Sequence, residues 1–253
     1  VGKPVVLVLS AGSAIDLSWA EEHVPAILDS WYPGARGGKA VAEALFGDYA
    51  PNGKLPVTFY QGTENLPEFT DYSMAGRTYR YTDKNILYPF GYGLSYTTFA
   101  WSNMQTNWSG DECTVTVDVE NTGDMAGKDV VEIYAQSPYT EYDKANGVEK
   151  ASVQLAAYGK TSELAPGEKE TVTCTFSKEQ LKAYDENGAQ TYIFDAGDYY
   201  ITAAANAHAA INNILAAKSE KPAQKADLDS EETADNEESA TQEEAESKIE
   251  LLT

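Results

Sequence analysis

The sequence predicts an α/β partial sheet followed by an antiparallel β-sandwich, then a short helix and a disordered acidic tail or linker. Three observations carry that expectation. The first hundred residues alternate continuous apolar runs with helical patterns, the rhythm of a parallel sheet flanked by helices. From Asp111 the apolar period becomes two, and short alternating runs recur between turn signals to about residue 205, as in a two-sheet sandwich of roughly 100 residues. From Glu220 to Glu250 twelve Asp or Glu stand against three Lys, without an aromatic. Such a segment buries too little apolar surface to offset chain entropy. The expected divisions are 1–100, 101–205, 206–218 and 219–253.

Lys3-Pro4 leads into VVLVLS, an uninterrupted apolar run of the kind that forms a strand buried on both faces. VPAILDSWY, from Val24, reads as a second such strand. Between them Asp16 to His23 is polar, with the Ser and Glu of a short helix. GGKAVAEALF, Gly37 to Phe46, is a stronger helix, with Val41, Ala44 and Leu45 at helical spacing and Gly47-Asp48 ending it. KLPVTF supplies one more strand. The glycines before the second helix do not make a phosphate loop, because Pro33 replaces the first Gly of that motif and Ala40 replaces the magnesium-binding hydroxyl. GYGLSY opens no helix, so it is not a dinucleotide fingerprint. It belongs to YPFGYGLSYTTF, Tyr88 to Phe99, where Pro89, Gly91 and Gly93 shape an aromatic loop. Such a loop suits a seam between domains or a sugar platform.

In the second half, Cys113 to Val119 puts Cys and Val at odd positions and Thr and Asp at even ones, a strand with one buried face. ENTGDMAGKD is a turn-rich connection. DVVEIYAQ, SVQLAAYGK and the run after LAPGEKE are strands, and QTYIFDAGDYYITAAA holds two more joined at Asp195 to Asp198. Cys113 and Cys174 both lie on apolar parity. An immunoglobulin-type bridge would pack on a Trp in the third strand, and DVVEIYAQ has none, which favours two buried thiols over a disulfide. Tyr199 and Tyr200 are adjacent in one strand, face opposite ways and form no platform. In NAHAAINNILAAK, Ile211, Ile214 and Leu215 share a helical face behind Asn206 as N-cap. That helix docks back on a domain or, alternatively, on a partner.

The formal charge of -22 argues against nucleic acid as a partner. No apolar run reaches the ~18 residues of a membrane-spanning helix. His23 and His208 are isolated and no Cys or His cluster offers a metal site. The chain opens directly on VGKPVVLVLS, without leader or initiator Met, so the expectation is a piece of something longer whose localisation is not read from this end.

Together GKPVVLVLSAGS, VPAILDSWYPGARGGKAVAEALFGDYAPNGKLPVTF, GRTYRYTDKNILYPFGYGLSYTTF, VENTGDMAGKDVVEIY and LAPGEKETVTCTF resemble the C-terminal half of family 3 glycoside hydrolases, the β-glucosidase family, across about residues 1–205. The resemblance implies the end of an α/β sandwich domain followed by a fibronectin type III-like domain, with GYGLSYTTF covering the joint. It also implies a parent that hydrolyses terminal β-linked sugars with retention, using two carboxyl groups about 5 Å apart. In that family the nucleophile is an Asp of a Ser-Asp-Trp type motif on a separate TIM-like barrel, and the acid/base is a Glu upstream of the strand that begins here. Asp16, Glu21, Glu22, Asp48 and Asp71 lack the neighbours that would mark them as catalytic. No catalytic, cofactor-binding or metal-ligating residue is therefore carried over, and no cofactor is expected. The implied partners are a carbohydrate substrate, through the parent, and the missing barrel. The alternative is a stand-alone sandwich module that binds carbohydrate or a partner without catalysis. The C-terminus departs from the commonest layout and resembles members in which a barrel follows, the acidic stretch then being a linker.

Overall fold

In the computed structural model, which describes residues 2–252 except 65, 83 and 221–249, the run after Pro4 forms strand β1 (Val6–Leu9). Helix α1 (Ser18–His23) is shorter than the expected Asp16 to His23, because Asp16 stays outside it and accepts from the Ser18 amide at 2.9 Å and the Ser18 hydroxyl at 2.7 Å. Strand β2 (Ala26–Asp29) then pairs in parallel with β1, Val8 opposite Leu28. Helix α2 (Gly37–Phe46) has the expected bounds and ends on Gly47 at φ 79°, a left-handed position open to glycine.

KLPVTF does not become a third parallel strand. Only β3 (Phe59–Tyr60) joins a ladder, and after the short helix α3 (Thr78–Tyr81) it pairs antiparallel with β4 (Ile86–Tyr88). Pro56 has no amide to donate to a ladder. The Leu55 amide is instead bonded to the Tyr92 carbonyl at 2.9 Å, and the Leu55 carbonyl accepts from the Gly91 amide at 2.8 Å. This segment thus pairs with the aromatic loop.

The sandwich consists of β5 (Phe99–Ser109), β6 (Glu112–Asn121), β7 (Val130–Gln136), helix α4 (Glu141–Asn146), β8 (Gln154–Lys160) and β9 (Lys169–Ser177), followed by a small hairpin of β10 (Ala183–Asp185) and β11 (Thr191–Ile193). Strand β12 (Tyr199–Ala204), helix α5 (Ala207–Glu220) and β13 (Glu250–Leu252) complete the order. One sheet runs β5-β6-β9 and the facing sheet β13-β12-β7-β8. The two strands of QTYIFDAGDYYITAAA are present but do not pair with each other, since β11 pairs with β10 and β12 with β7.

Val115, Val117 and Val119 of β6, Val172 and Phe176 of β9, Val131 and Ile133 of β7 and Ile201 of β12 form the core between the sheets. Each side chain of this size contributes about 1.5–3 kcal/mol on burial. Cys113 lies opposite Phe176 and Cys174 opposite Val115, so both thiols sit on adjacent strands of one sheet and not across the sandwich. Burial pushes the Cys174 thiol up to about 11, which keeps it protonated and inert at neutral pH. Tyr199 and Tyr200 do face opposite ways, the first into this core and the second into a smaller cluster on the outer side of the sheet.

That outer cluster explains why β7 is buried on both faces. Val131, Ile133 and Ala135 point into the sandwich, while Glu132 and Tyr134 point outward and are covered as well. Helix α5 supplies part of the cover. Asn206 Oδ1 accepts from the Ala209 amide at 2.9 Å, as the N-cap reading expected. The buried stripe, however, is Ala207, Ala210 and Ile214, with Ile211 at its margin and Leu215 58% exposed. Small residues let the helix approach the sheet closely, so the apolar face is shifted from the one its largest side chains suggested. At the ends of the expected tail, α5 continues through Ser219 to Glu220 and β13 pairs antiparallel with β12, Leu252 opposite Tyr199. The rest of that expectation, 221–249, lies outside the described residues. Among the described residues no helix is long and apolar enough to cross a membrane.

Candidate functional site

Two surfaces of the first hundred residues have something to do. The first is a bare sheet face. In the β1–β2 pair, Leu7, Leu9 and Ile27 point into a small core with Leu17, Ala20 and Phe59. Val6 and Val8 point the other way and remain 42% and 36% exposed. The strand expected to be buried on both faces is therefore covered on one only. Parallel sheets normally carry helices on both sides, so among the described residues this face lacks its second layer. Phe46, Phe69 and Tyr72 are also almost fully exposed.

The second surface is the seam with the sandwich, built by the aromatic loop. Phe90 stacks on Tyr79 at 4.3 Å, and Tyr79 meets Tyr134 edge-on at 6.3 Å. The seam is tied by backbone: the Ser152 amide donates to the Arg80 carbonyl at 2.8 Å, and the Ala207 amide donates to the Phe90 carbonyl at 2.9 Å. The Leu155 amide donates to the Tyr79 hydroxyl at 3.0 Å. Thr97, at the loop's end, donates its hydroxyl to Asn121 Oδ1 at 2.7 Å, and fully buried Asn121 in turn donates to the Leu164 carbonyl at 2.8 Å.

The carboxylates of this part are turn formers. The Ser18 hydroxyl and amide hold Asp16 below the usual carboxylate range. The amide of Ser73, and then its hydroxyl, do the same for Asp71. A lowered value is the opposite of what a general acid needs. Glu21 and Glu22 are exposed on α1 and Asp48 is exposed just after α2. His23 stacks on Trp19 at 4.6 Å and its Nδ1 donates to the Trp19 carbonyl at 2.7 Å, while His208 is exposed on α5. Among the described residues no three His, Cys, Asp or Glu side chains could hold a metal ion.

Sequence reasoning gave no role to Glu132, whose environment is strongly perturbed. Burial pushes its carboxyl up to about 7, against the hydrogen bond from the Tyr134 hydroxyl and the charge of Lys54. The hydroxyl donates to Glu132 Oε2 at 2.6 Å, and burial raises the Tyr134 phenol as well. A Cβ placed on Gly91 would stand 2.1 Å from the same carboxylate oxygen, so no substrate fits above it and Glu132 is a seam group. Its titration has a sign. The folded value lies above the unfolded one, so the folded state binds the proton more tightly. Stability is therefore full below about pH 4.5 and falls as pH rises through 7. The loss should reach at most about 3 kcal/mol. Asp129 and Lys54 pair at 3.9 Å nearby. Urea midpoints from pH 5 to 8 should decline in the parent chain and decline less in Glu132→Gln; equal slopes would assign the effect elsewhere.

Among the described residues the chain closes an α/β layer with an aromatic loop and continues into a seven-stranded sandwich. Residues 1–96 match the glycosyl hydrolase family 3 C-terminal domain, and residues 129–207 match the fibronectin type III-like domain. The chain belongs to glycosyl hydrolase family 3 through that C-terminal domain. It is 42% identical over 189 residues to a xylan 1,4-beta-xylosidase of Xylanibacter ruminicola, covering 73% of this chain and 21% of the relative. To a periplasmic beta-glucosidase of Salmonella typhimurium it is 36% identical over 201 residues, covering 73% and 25%. The structure of beta-glucosidase 3B from Thermotoga neapolitana in complex with alpha-D-glucose superposes with a TM-score of 0.72 at 31% identity, over 82% of this chain and 30% of that one. The chain thus spans about a quarter of the length of the curated relatives it matches.

Proposed function

We propose that this chain is the non-catalytic C-terminal portion of a retaining β-glycosidase that removes terminal β-linked glucose or xylose. Its bare sheet face packs against the remainder of that polypeptide, including the barrel that bears the nucleophile. The half-covered parallel pair carries the reading, because Val6 and Val8 are partly exposed where the architecture calls for a second layer. Covering them recovers about 25 cal/mol per Å² of apolar surface. The glucosidase and xylosidase names of the relatives support the substrate class. The working division is 1–100 for the closing part of the α/β domain, 101–205 for the sandwich, 206–218 for the docked helix and 219–253 for the acidic tail or linker.

Val8→Asp tests this. In the full polypeptide the substitution buries a charge and should cut turnover of aryl β-glucosides and β-xylosides at least ~10-fold through lost folded enzyme. In the present chain position 8 is 36% exposed, so the carboxylate can reach water, and the thermal midpoint should move by less than about 4 °C. Undiminished turnover in the full polypeptide would remove this face from the interface.

A further inference from the structure

One end of the sandwich carries a groove that the proposed function leaves unused. Two adjoining cavities of about 880 and 480 Å³ share Tyr81, Ser137 and Glu149–Ala151 as a common wall. Both lie in the range of small-molecule sites. Tyr139 lines the larger one and is 57% exposed; Tyr184 lines the smaller and is 51% exposed. Exposed tyrosines present a flat apolar face with a hydroxyl at the rim, and here each cavity has one, with Tyr81 lining both.

The rim is built to hold them still. Lys150 Nζ pairs with Asp143 at 3.4 Å and with Asp195, and the three side chains are 6%, 0% and 10% exposed. Asp143 Oδ2 also accepts from the Thr140 amide at 2.7 Å, which fixes the segment bearing Tyr139. Tyr184 rests edge-on against Tyr192 at 5.3 Å. Tyrosine faces held in this way lose little freedom on binding.

Charge narrows the ligand. The lining mixes Arg80, Lys182 and Lys218 with Glu149, Glu186 and Asp198; Arg80 donates to Gln154 Oε1 and Lys182 pairs with Glu179, while Lys150 is outnumbered by its two aspartates. The groove therefore offers no positive field for an anion. What fits aromatic faces interleaved with neutralised hydrogen-bonding groups is an uncharged polyhydroxyl ring, whose axial C–H face stacks on tyrosine while its hydroxyls reach the rim.

We propose that this groove binds a neutral pyranose oligosaccharide, β-linked xylo- or gluco-configured, stacked on Tyr139 and Tyr184 across Tyr81. The β-linkage rests on the glycosidase reading; the saccharide class rests on the groove alone. Calorimetric or NMR titration of the chain with xylotetraose, cellotetraose and maltotetraose tests it. A β-linked probe should bind, and Tyr139→Ala and Tyr184→Ala should each weaken binding about 5- to 20-fold. Tyr158→Ala, 70% exposed and outside the groove, should leave it unchanged. Each variant is an exposed truncation, and near-ultraviolet circular dichroism verifies its fold. Absence of binding by all three sugars, or equal affinity in the three variants, overturns the site. Binding of maltotetraose alone overturns the β-linked assignment, and turnover by the full polypeptide, measured separately, judges the glycosidase reading.

Discussion

Freed of host glycosidases, the 253-residue chain is expected to release no nitrophenol from aryl β-glucosides or β-xylosides above the uncatalysed rate. Retaining hydrolysis requires a nucleophilic carboxylate and an acid/base carboxyl facing each other about 5 Å apart. In the α/β part, Asp16 and Asp71 accept hydrogen bonds from the serines two residues on, and their carboxyls are held below the range of a proton donor. Glu132 has a suitable proton affinity but is sealed beneath Gly91. An enzyme of this class accelerates its reaction by at least ~10⁶-fold, so the expected loss is the whole of that factor. The assay is end-point absorbance at 400 nm after prolonged incubation, with two independent preparations. Turnover that tracks the chain through chromatography, and that disappears in Glu132→Gln or Asp71→Asn, would mean that catalytic groups lie in this portion after all.

The parts of the fold legible in the sequence were those in which one residue pattern served one purpose. Helix α2 was legible because glycines bracket a run whose apolar residues share a side, and β6 because its parity never breaks. Strand β5 was missed although it holds Phe99, Trp101, Met104 and Trp108. Asn103, at φ 52°, inserts a bulge that shifts the inward parity by one residue, so neither half of the strand alternates long enough to register. KLPVTF misled in the opposite direction: its apolar content is real, but Pro56 and the Leu55 bonds to the loop take it out of the sheet. The helix stripe failed for a third reason, since Ala207 and Ala210 pack by being small and a count of large apolar residues overlooks them. The site was less legible than the fold. Nothing near Glu132 in sequence tells that Gly91 will cover it, and the Lys150, Asp143 and Asp195 cluster joins a residue of helix α4 to residues from two separate loops. Contacts between distant segments leave no local period to read.

Gly91→Ala should lower stability by about 2–5 kcal/mol. Two separable terms add up to that figure. Gly91 sits at φ 84°, where a side chain costs about 1–2 kcal/mol in backbone strain. A Cβ there would also stand 2.1 Å from Glu132 Oε2, 2.9 Å from the Tyr134 hydroxyl and 3.0 Å from Asn206 Cα. The first two neighbours are locked together in a buried hydrogen bond and the third is backbone at the start of α5, so none yields without opening the seam. Overpacking of this kind adds about 1–3 kcal/mol. Gly110→Ala is the control, because Gly110 has φ 62° and nothing within 4 Å of its added Cβ. It carries the strain without the clash. Urea unfolding of the two variants side by side isolates the seam's share, and limited proteolysis should cut Gly91→Ala first in the loop between β4 and β5. If the two variants lost the same stability within about 0.5 kcal/mol, the loop would not be pressed against β7, and the buried state of Glu132 would need another cause.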